Sequence, residues 1–238
     1  MSRWETLLAV QGHDTKADQL AHRAETLPAR DELVAVGDQI ASVERTLASV
    51  ETRRAELSRS QQRLEDEVAS LTERANQAEK QLYSGSVTAP RELQALQDDV
   101  ASIRRRIGQI EDDELEIMEL AEPVDAERAQ LAAEKDRLEG ESRRITAELA
   151  EVEAEIEAEL AAVREQRADA ASAVPGDLWP EYDRLRAQLG GVAIARLAGS
   201  TCQGCHLALP AVEVDRIRKL GVDDTVHCEE CGRLLVRD

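Results

Sequence analysis

Four cysteines lie near the end of the chain and could hold a metal. Cys202 and Cys205 bracket Gln203-Gly204, Cys228 and Cys231 bracket Glu229-Glu230, and 22 residues separate the pairs. Two thiolates two residues apart can grip one tetrahedral ion from a tight turn, and two such turns complete a four-thiolate cage. Gly204 lies inside the first turn and Gly232 just after the second. Both are expected to take left-handed backbone, which lets amides face the sulfurs. A closed shell of four thiolates has no position for water, so the expected metal is structural rather than catalytic. One Zn2+ is the expected ion; thiolates also hold iron, and spacing alone does not choose between them. His206 and His227 abut cysteines and are read as flanking strand residues. A redox role would need only one pair and a βαβ setting. Two disulfides would suit a secreted chain, but Met1-Ser2-Arg3-Trp4-Glu5 has no apolar signal core. A reducing, cytoplasmic setting is therefore expected.

The rest of the chain must carry this cage on helix. Phe is absent, Trp and Tyr number two each, and Ala, Glu, Arg and Leu dominate. That composition suits long helices and not a thick core. No run approaches the ~18 apolar residues of a membrane span. Apolar residues recur every seven positions. One series runs Leu33, Ile40, Leu47, Arg54, Gln61, Val68, Ala75, Leu82, with a companion Val36, Val43, Val50, Leu57, Leu64, Leu71, Ala78. A second pair of series runs from Leu93 to Val163 and from Leu96 to Val152. So narrow a stripe is a coiled-coil seam. Tyr83-Ser84-Gly85-Ser86-Val87-Thr88-Ala89-Pro90 separates the two segments and predicts a turn near 83–90. Residues 1–175 thus read as an antiparallel coiled-coil hairpin with arms at about 3–82 and 91–172. An ~80-residue arm would reach ~120 Å if straight. Pro28 predicts a kink or break in the first arm, and Pro123 a bend in the second through which the frame continues. Polar seam residues, among them Arg54, Gln61, Glu114, Arg128, Lys135 and Ser142, are expected to fix register.

Val174-Pro175-Gly176 ends the hairpin, and residues 176–238 read as a small ribbon module. Asp177 is expected to cap a helix over 177–189. Strands are predicted at 192–197, 206–209, 225–227 and 234–236, with a helix over 210–220. So small a module needs its metal to stay folded. The fold class is therefore mainly α, a long antiparallel coiled-coil hairpin plus a C-terminal four-cysteine ribbon.

Charge narrows the partners. Residues 1–175 hold 22 Lys/Arg against 39 Asp/Glu, a net −17, and residues 176–238 hold 8 against 10, a net −2. The hairpin should repel nucleic acid, so any such contact is confined to the ribbon. The candidate contacts there are Arg184, Arg186, Arg196, Arg216, Arg218, Lys219 and Arg233.

Several phrases carry a family likeness. They are Leu82-Tyr83-Ser84-Gly85, Val87-Thr88 and Pro90-Arg91-Glu92-Leu93-Gln94 at the tip, Gly190-Gly191-Val192-Ala193 before the ribbon, and the two cysteine turns with Gly232-Arg233. Together they resemble the bacterial C4-type zinc ribbon family with a long N-terminal coiled-coil hairpin. Members commonly have Lys at the position of Ser86 and Asn at that of Ala89. The resemblance implies a non-enzymatic adaptor. Some relatives chaperone an alternative sigma factor and bind a flagellin message, and others assist secretion chaperones. Tip contacts through Tyr83, Ser84, Gly85, Val87, Thr88 and Pro90 are part of the same implication.

The expected function is thus a zinc-binding adaptor or chaperone that holds a protein client through ribbon and coiled coil. The alternative is an RNA- or DNA-binding regulator acting through the ribbon arginines. An RNA-polymerase channel factor would place carboxylates at the hairpin tip, and residues 84–89 have none. An enzyme is not expected, since no nucleophile–base pair or phosphate loop is present and His13 and His22 sit singly on a polar helix.

Overall fold

The break expected at Pro28 is present, and the proline starts a new helix there. In the computed structural model, which describes residues 2–237, α1 spans Arg3–Glu25 and α2 spans Pro28–Tyr83. The Ser2 hydroxyl accepts the Glu5 amide at 3.2 Å and opens α1. Proline is harmless in a first turn, where its missing N–H has no partner to lose. The new helix also resets the seam, leaving Val34 66% exposed while Leu33 and Val36 face inward. Helix α3 spans Pro90–Ser172 and continues through Pro123. Between α2 and α3 the chain turns at the expected place, with Gly85 at φ 74° and the Ser84 hydroxyl accepting the Ser86 amide.

The chain packs as two compact units, Leu33–Arg144 and Met1–Glu32 with Ile145–Asp238. In the first, α2 and α3 pair in opposite directions. Glu44 meets Lys135 at 2.8 Å, Arg54 meets Asp125 at 2.9 Å, Glu67 meets Arg106 at 3.1 Å, and Glu79 meets Arg104. The apolar seam positions of both helices are buried or half-buried there, as the seven-residue frame requires. Arg54, Gln61, Glu114 and Lys135 pair across the seam, Gln61 donating to Glu114 at 3.3 Å. Arg128 is the departure. It is exposed, and Asp125 takes the inward place opposite Arg54.

The other unit holds the remaining elements. A 3-10 turn (Gly176–Leu178) leads into α4 (Trp179–Gln188), then β1 (Ile194–Ala198), β2 (Thr201–Cys202), α5 (Ala211–Lys219) and β3 (Leu234–Arg237). The strands form one sheet in the order β2-β1-β3, with β2 antiparallel and β3 parallel to β1. Strand alternation divides its side chains between two cores. Ile194, Leu234 and Val236 pack with Trp4, Leu7 and Val10 of α1 and with Tyr182 and Leu185 of α4. Ala195, Leu197 and Leu235 pack with Cys202, Cys228, Val214 and Ile217. The boundary expected at 175/176 therefore falls inside this unit, because α1 supplies part of the core beneath the ribbon. The strands expected at 206–209 and 225–227 shrink to single bridges, Thr201 with Ala208 and His227 with Leu234. Asp177 does not cap a helix; its carboxylate takes the Arg3 guanidinium at 2.5 Å. Among the described residues, no helix is long and apolar enough to cross a membrane.

Candidate metal centre

Two copies of one loop build the cage. In the first, the Cys202 amide donates to Leu207 O at 3.0 Å and the His206 amide donates to Cys202 O at 2.8 Å. In the second, the Cys228 amide donates to Arg233 O at 2.8 Å and the Gly232 amide to Cys228 O at 2.8 Å. Each loop closes on a residue with left-handed backbone, His206 at φ 61° and Gly232 at φ 74°. Gly232 thus does what the sequence predicts. Gly204 does not, since its φ is not positive and its constraint is space. A Cβ there would sit 2.6 Å from Arg233 Cδ and 2.9 Å from Ala195 Cβ. His206, read from the sequence as a strand residue, holds the strained position instead. Left-handed backbone costs an L-residue ~1–2 kcal/mol, partly offset in a glycine replacement by ~0.5–1 kcal/mol of chain freedom. His206→Gly is therefore expected to raise stability by up to ~1 kcal/mol, seen as a higher urea midpoint for the zinc-loaded protein.

All four sulfurs lie within 4.8 Å of one another. Cys202 Sγ is 4.0 Å from Cys231 Sγ, and Cys205 Sγ is 3.9 Å from Cys228 Sγ. These gaps are far too long for disulfides. A tetrahedron with Zn–S bonds of ~2.3 Å has edges of ~3.8 Å, so the donor set fits zinc. Cys202 and Cys228 are buried and Cys205 and Cys231 half-buried. Burial pushes the Cys228 thiol up to about 12 and raises Cys202 too, although backbone amides face both sulfurs. Burial acts on Cys231 as well, but the backbone amide and side chain of Arg233 outweigh it and hold it at about 7. A divalent cation held by Cys202, Cys205, Cys228 and Cys231 would supply the field that ionises the buried pair.

Arg233 is the brace of this site. Its Nε donates to Val192 O at 2.9 Å and its Nη2 to Leu189 O at 3.0 Å, tying the second loop to the end of α4. Replacing a group that orients a ligand costs ~10–100-fold in metal affinity in comparable sites. Arg233→Ala is expected to weaken zinc binding to that extent, measured by competition with a chromophoric chelator.

A second polar centre, not anticipated from the residues, lies in the same unit. Asp14 of α1 is only 7% exposed. Its carboxylate accepts Arg167 Nε of α3 at 2.6 Å and the Tyr182 hydroxyl of α4 at 2.6 Å, with Arg186 Nε 3.6 Å away. Burial alone would raise its pKa, but hydrogen bonds from Arg167 and Tyr182 and the charges of Arg167 and Arg186 carry it below the ordinary 3.8. One turn earlier, Gln11 donates to Gly191 O at 2.8 Å and accepts the Ala193 amide at 2.7 Å. These contacts fasten α1 to the chain entering β1. The available signal was spacing, because Leu7, Val10, Gln11 and Asp14 share one helical face.

The candidate contact residues are mostly engaged within the chain. Arg186 holds Asp18 at 2.7 Å, Arg196 holds Glu5 at 3.0 Å, Arg216 holds Glu213, and Arg184 donates to Gln188 at 3.1 Å. Arg233 is spent on carbonyls. Arg218 and Lys219 are exposed and, among the described residues, carry no ion pair. At the tip Tyr83 is 82% exposed, Ser84, Gly85, Thr88 and Pro90 are exposed, and Val87 is half-buried.

Comparison with known proteins agrees with this geometry. Residues 10–190 match the CT398-like coiled coil hairpin domain, and residues 201–235 match the C4-type zinc ribbon domain. The cage is therefore a site for one structural zinc. An uncharacterized protein of Mycobacterium tuberculosis, found in strains CDC 1551 / Oshkosh and ATCC 25618 / H37Rv, is 28% identical over 244 residues, which cover 100% of this chain and 96% of that protein. A solved structure from Mycobacterium smegmatis superposes with a TM-score of 0.88 at 24% identity, covering 100% of this chain and 98% of that one. CT398 from Chlamydia trachomatis gives 0.68 at 21% identity, with 99% and 98% covered. The HP0958 protein from Helicobacter pylori gives 0.52 at 16% identity, with 99% and 97% covered. At these identities the structures speak for the shared fold alone.

Proposed function

The chain belongs to the CT398-like coiled coil hairpin family and carries a C4-type zinc ribbon; on that premise we propose that it is a non-enzymatic adaptor that binds a protein client. The closed four-thiolate cage carries this reading. A metal with all four positions taken by buried or half-buried sulfur shapes a surface and activates no water. The polar cluster around Asp14 supports the same view, since its charges face one another and brace the unit that carries the zinc cage. The four free thiols suit a reducing compartment such as the cytoplasm. Client chaperoning, of the kind the sequence resemblance implies, is the finer form of this proposal.

Binding of RNA or DNA through the ribbon is the rival. Arg184, Arg186, Arg196, Arg216 and Arg233 have internal partners, which leaves Arg218 and Lys219 for phosphates. Two cations give little of the counterion release that sustains such binding. Affinity capture from nuclease-treated native lysate tests the choice. Tagged wild type should retain a protein in near-equal amount and Cys202→Ser should lose it. Recovery of nucleic acid alone, from lysate spared the nuclease, would reject the adaptor.

A further inference from the structure

A groove of about 450 Å³ lies beside the ribbon, within the unit that carries the zinc cage. Its volume falls in the range of sites that hold a drug-sized ligand or a few side chains, ~300–1,000 Å³. Trp4, Leu197, Ile217, Leu220, Val222 and Val236 give it apolar walls. Charge is confined to three lining residues, and two of them are spent. Glu5 holds Arg196 at 3.0 Å, and Arg237 donates to Ile217 O at 2.8 Å and Leu220 O at 3.0 Å. The third, Arg218, has no ion pair among the described residues, and Lys219 follows it. Val222 stands 72% exposed at the rim, an apolar side chain with little to cover it. The Trp4 indole N–H is buried and lacks a hydrogen-bond partner.

We infer that this groove is the client-contact surface, and that its occupant is a short acidic peptide segment of a protein partner, with an aliphatic residue beside an Asp or Glu. The inference rests on the adaptor reading above. Apolar walls take the aliphatic side chain, and Arg218 takes the carboxylate, which a guanidinium can hold with two parallel hydrogen bonds. The unspent charge is positive on a chain whose net charge is −19, so an acidic segment meets an attractive spot on a generally repulsive surface. A nucleic acid fits less well. One unspent guanidinium in the lining gives little counterion release, and Trp4 is only 4% exposed, too covered to stack on a base.

The test uses full-length, zinc-loaded protein and a phage-displayed library of random twelve-residue peptides. Enriched sequences are remade with a fluorescein label and titrated by anisotropy. They should pair an aliphatic residue with Asp or Glu. Arg218→Glu and Val222→Asp should each weaken binding at least ~10-fold, and changing the peptide's acid to Lys should restore binding to Arg218→Glu. Both positions are exposed, so the variants should keep the wild-type zinc content and helix signal. Arg143→Glu, on α3, should bind as wild type does. No enrichment, enrichment without an acid, or indifference to both substitutions would overturn the groove assignment. The capture experiment would still decide the adaptor reading separately. A 20-nucleotide RNA that binds wild type and loses that affinity in Arg218→Glu would hand the surface to nucleic acid. Sedimentation showing self-association abolished by Arg218→Glu would hand it to a second copy of the chain; either result rejects the peptide.

Discussion

Removal of zinc, or its loss in Cys202→Ser, is expected to unfold the ribbon side of the sheet while most of the helix remains. Cys202 and Cys228 belong to the core that also holds Val214, Ile217 and Leu235. Without the ion, four sulfurs crowd within 4.8 Å with no group that attracts them to one another. Structural zinc contributes ~10–16 kcal/mol in small zinc-dependent peptides, comparable to the whole stability of a domain at ~5–15 kcal/mol. The loss is local because the helices are supported elsewhere. Helix α5 contributes 9 helical residues and α4 contributes 10, against 56 in α2 and 83 in α3. Circular dichroism at 222 nm should therefore fall by no more than roughly a tenth, while proteolysis cuts the segment between β1 and β3. The buried cysteines should be the more sensitive pair, with Cys202→Ser and Cys228→Ser worse than Cys205→Ser and Cys231→Ser. A collapse of the helical signal by half, or a ribbon that resists protease after chelation, contradicts the separation of the two cores.

What could be read from the residues follows physical range. The seam was legible because each layer repeats the same contact every seven residues, and one helix shows the pattern without its partner. Cysteine pairs were legible because the first and fourth residues of a tight turn must converge whatever surrounds them. Gly204 and His206 were not, since their roles depend on a neighbour's position. Gly204 is held small by Arg233, 29 positions away, and His206 takes left-handed backbone because the first loop copies the hydrogen bonds of the second. Arginines on the ribbon looked available because sequence shows charge and hides the carboxylates and carbonyls that face it. Arg196 finds Glu5 across 191 residues. Helix α1 was hardest, because its buried face carries Gln11 and Asp14, and hydrophobic patterning assigns such residues to solvent.

Asp14→Ala is expected to be the most damaging substitution outside the metal site. It removes the carboxylate that Arg167 and Tyr182 share and leaves those two donors without it, while Arg186 keeps Asp18 at 2.7 Å. Deleting one partner of a fully buried ion pair costs ~3–5 kcal/mol; Arg167 keeps 37% of its side chain exposed, so the cost here should lie near the low end of that range. The effect should surface as loosening of α1 from the sheet, since Asp14 joins α1 to α3 and α4. Amide exchange should speed up in α1 and around Gly191–Ala193, the stretch that Gln11 clamps. Tyr182→Phe removes one donor and should cost less, ~1.5–3 kcal/mol for a hydrogen bond to a charged group. The acid dependence has a definite sign. The folded-state pKa of Asp14 lies below its ordinary 3.8, so the contribution of its charge is complete above about pH 5 and fades as pH falls through 3.8 and then the lowered value. Asp14→Asn keeps an acceptor for the tyrosine but holds no charge. Its deficit against wild type should be constant from pH 5 to 8 and shrink in acid, with zinc release common to both proteins. A deficit that widened below pH 4 would mean that Asp14 is protonated in the folded protein, and that the cluster is held by something other than its charge.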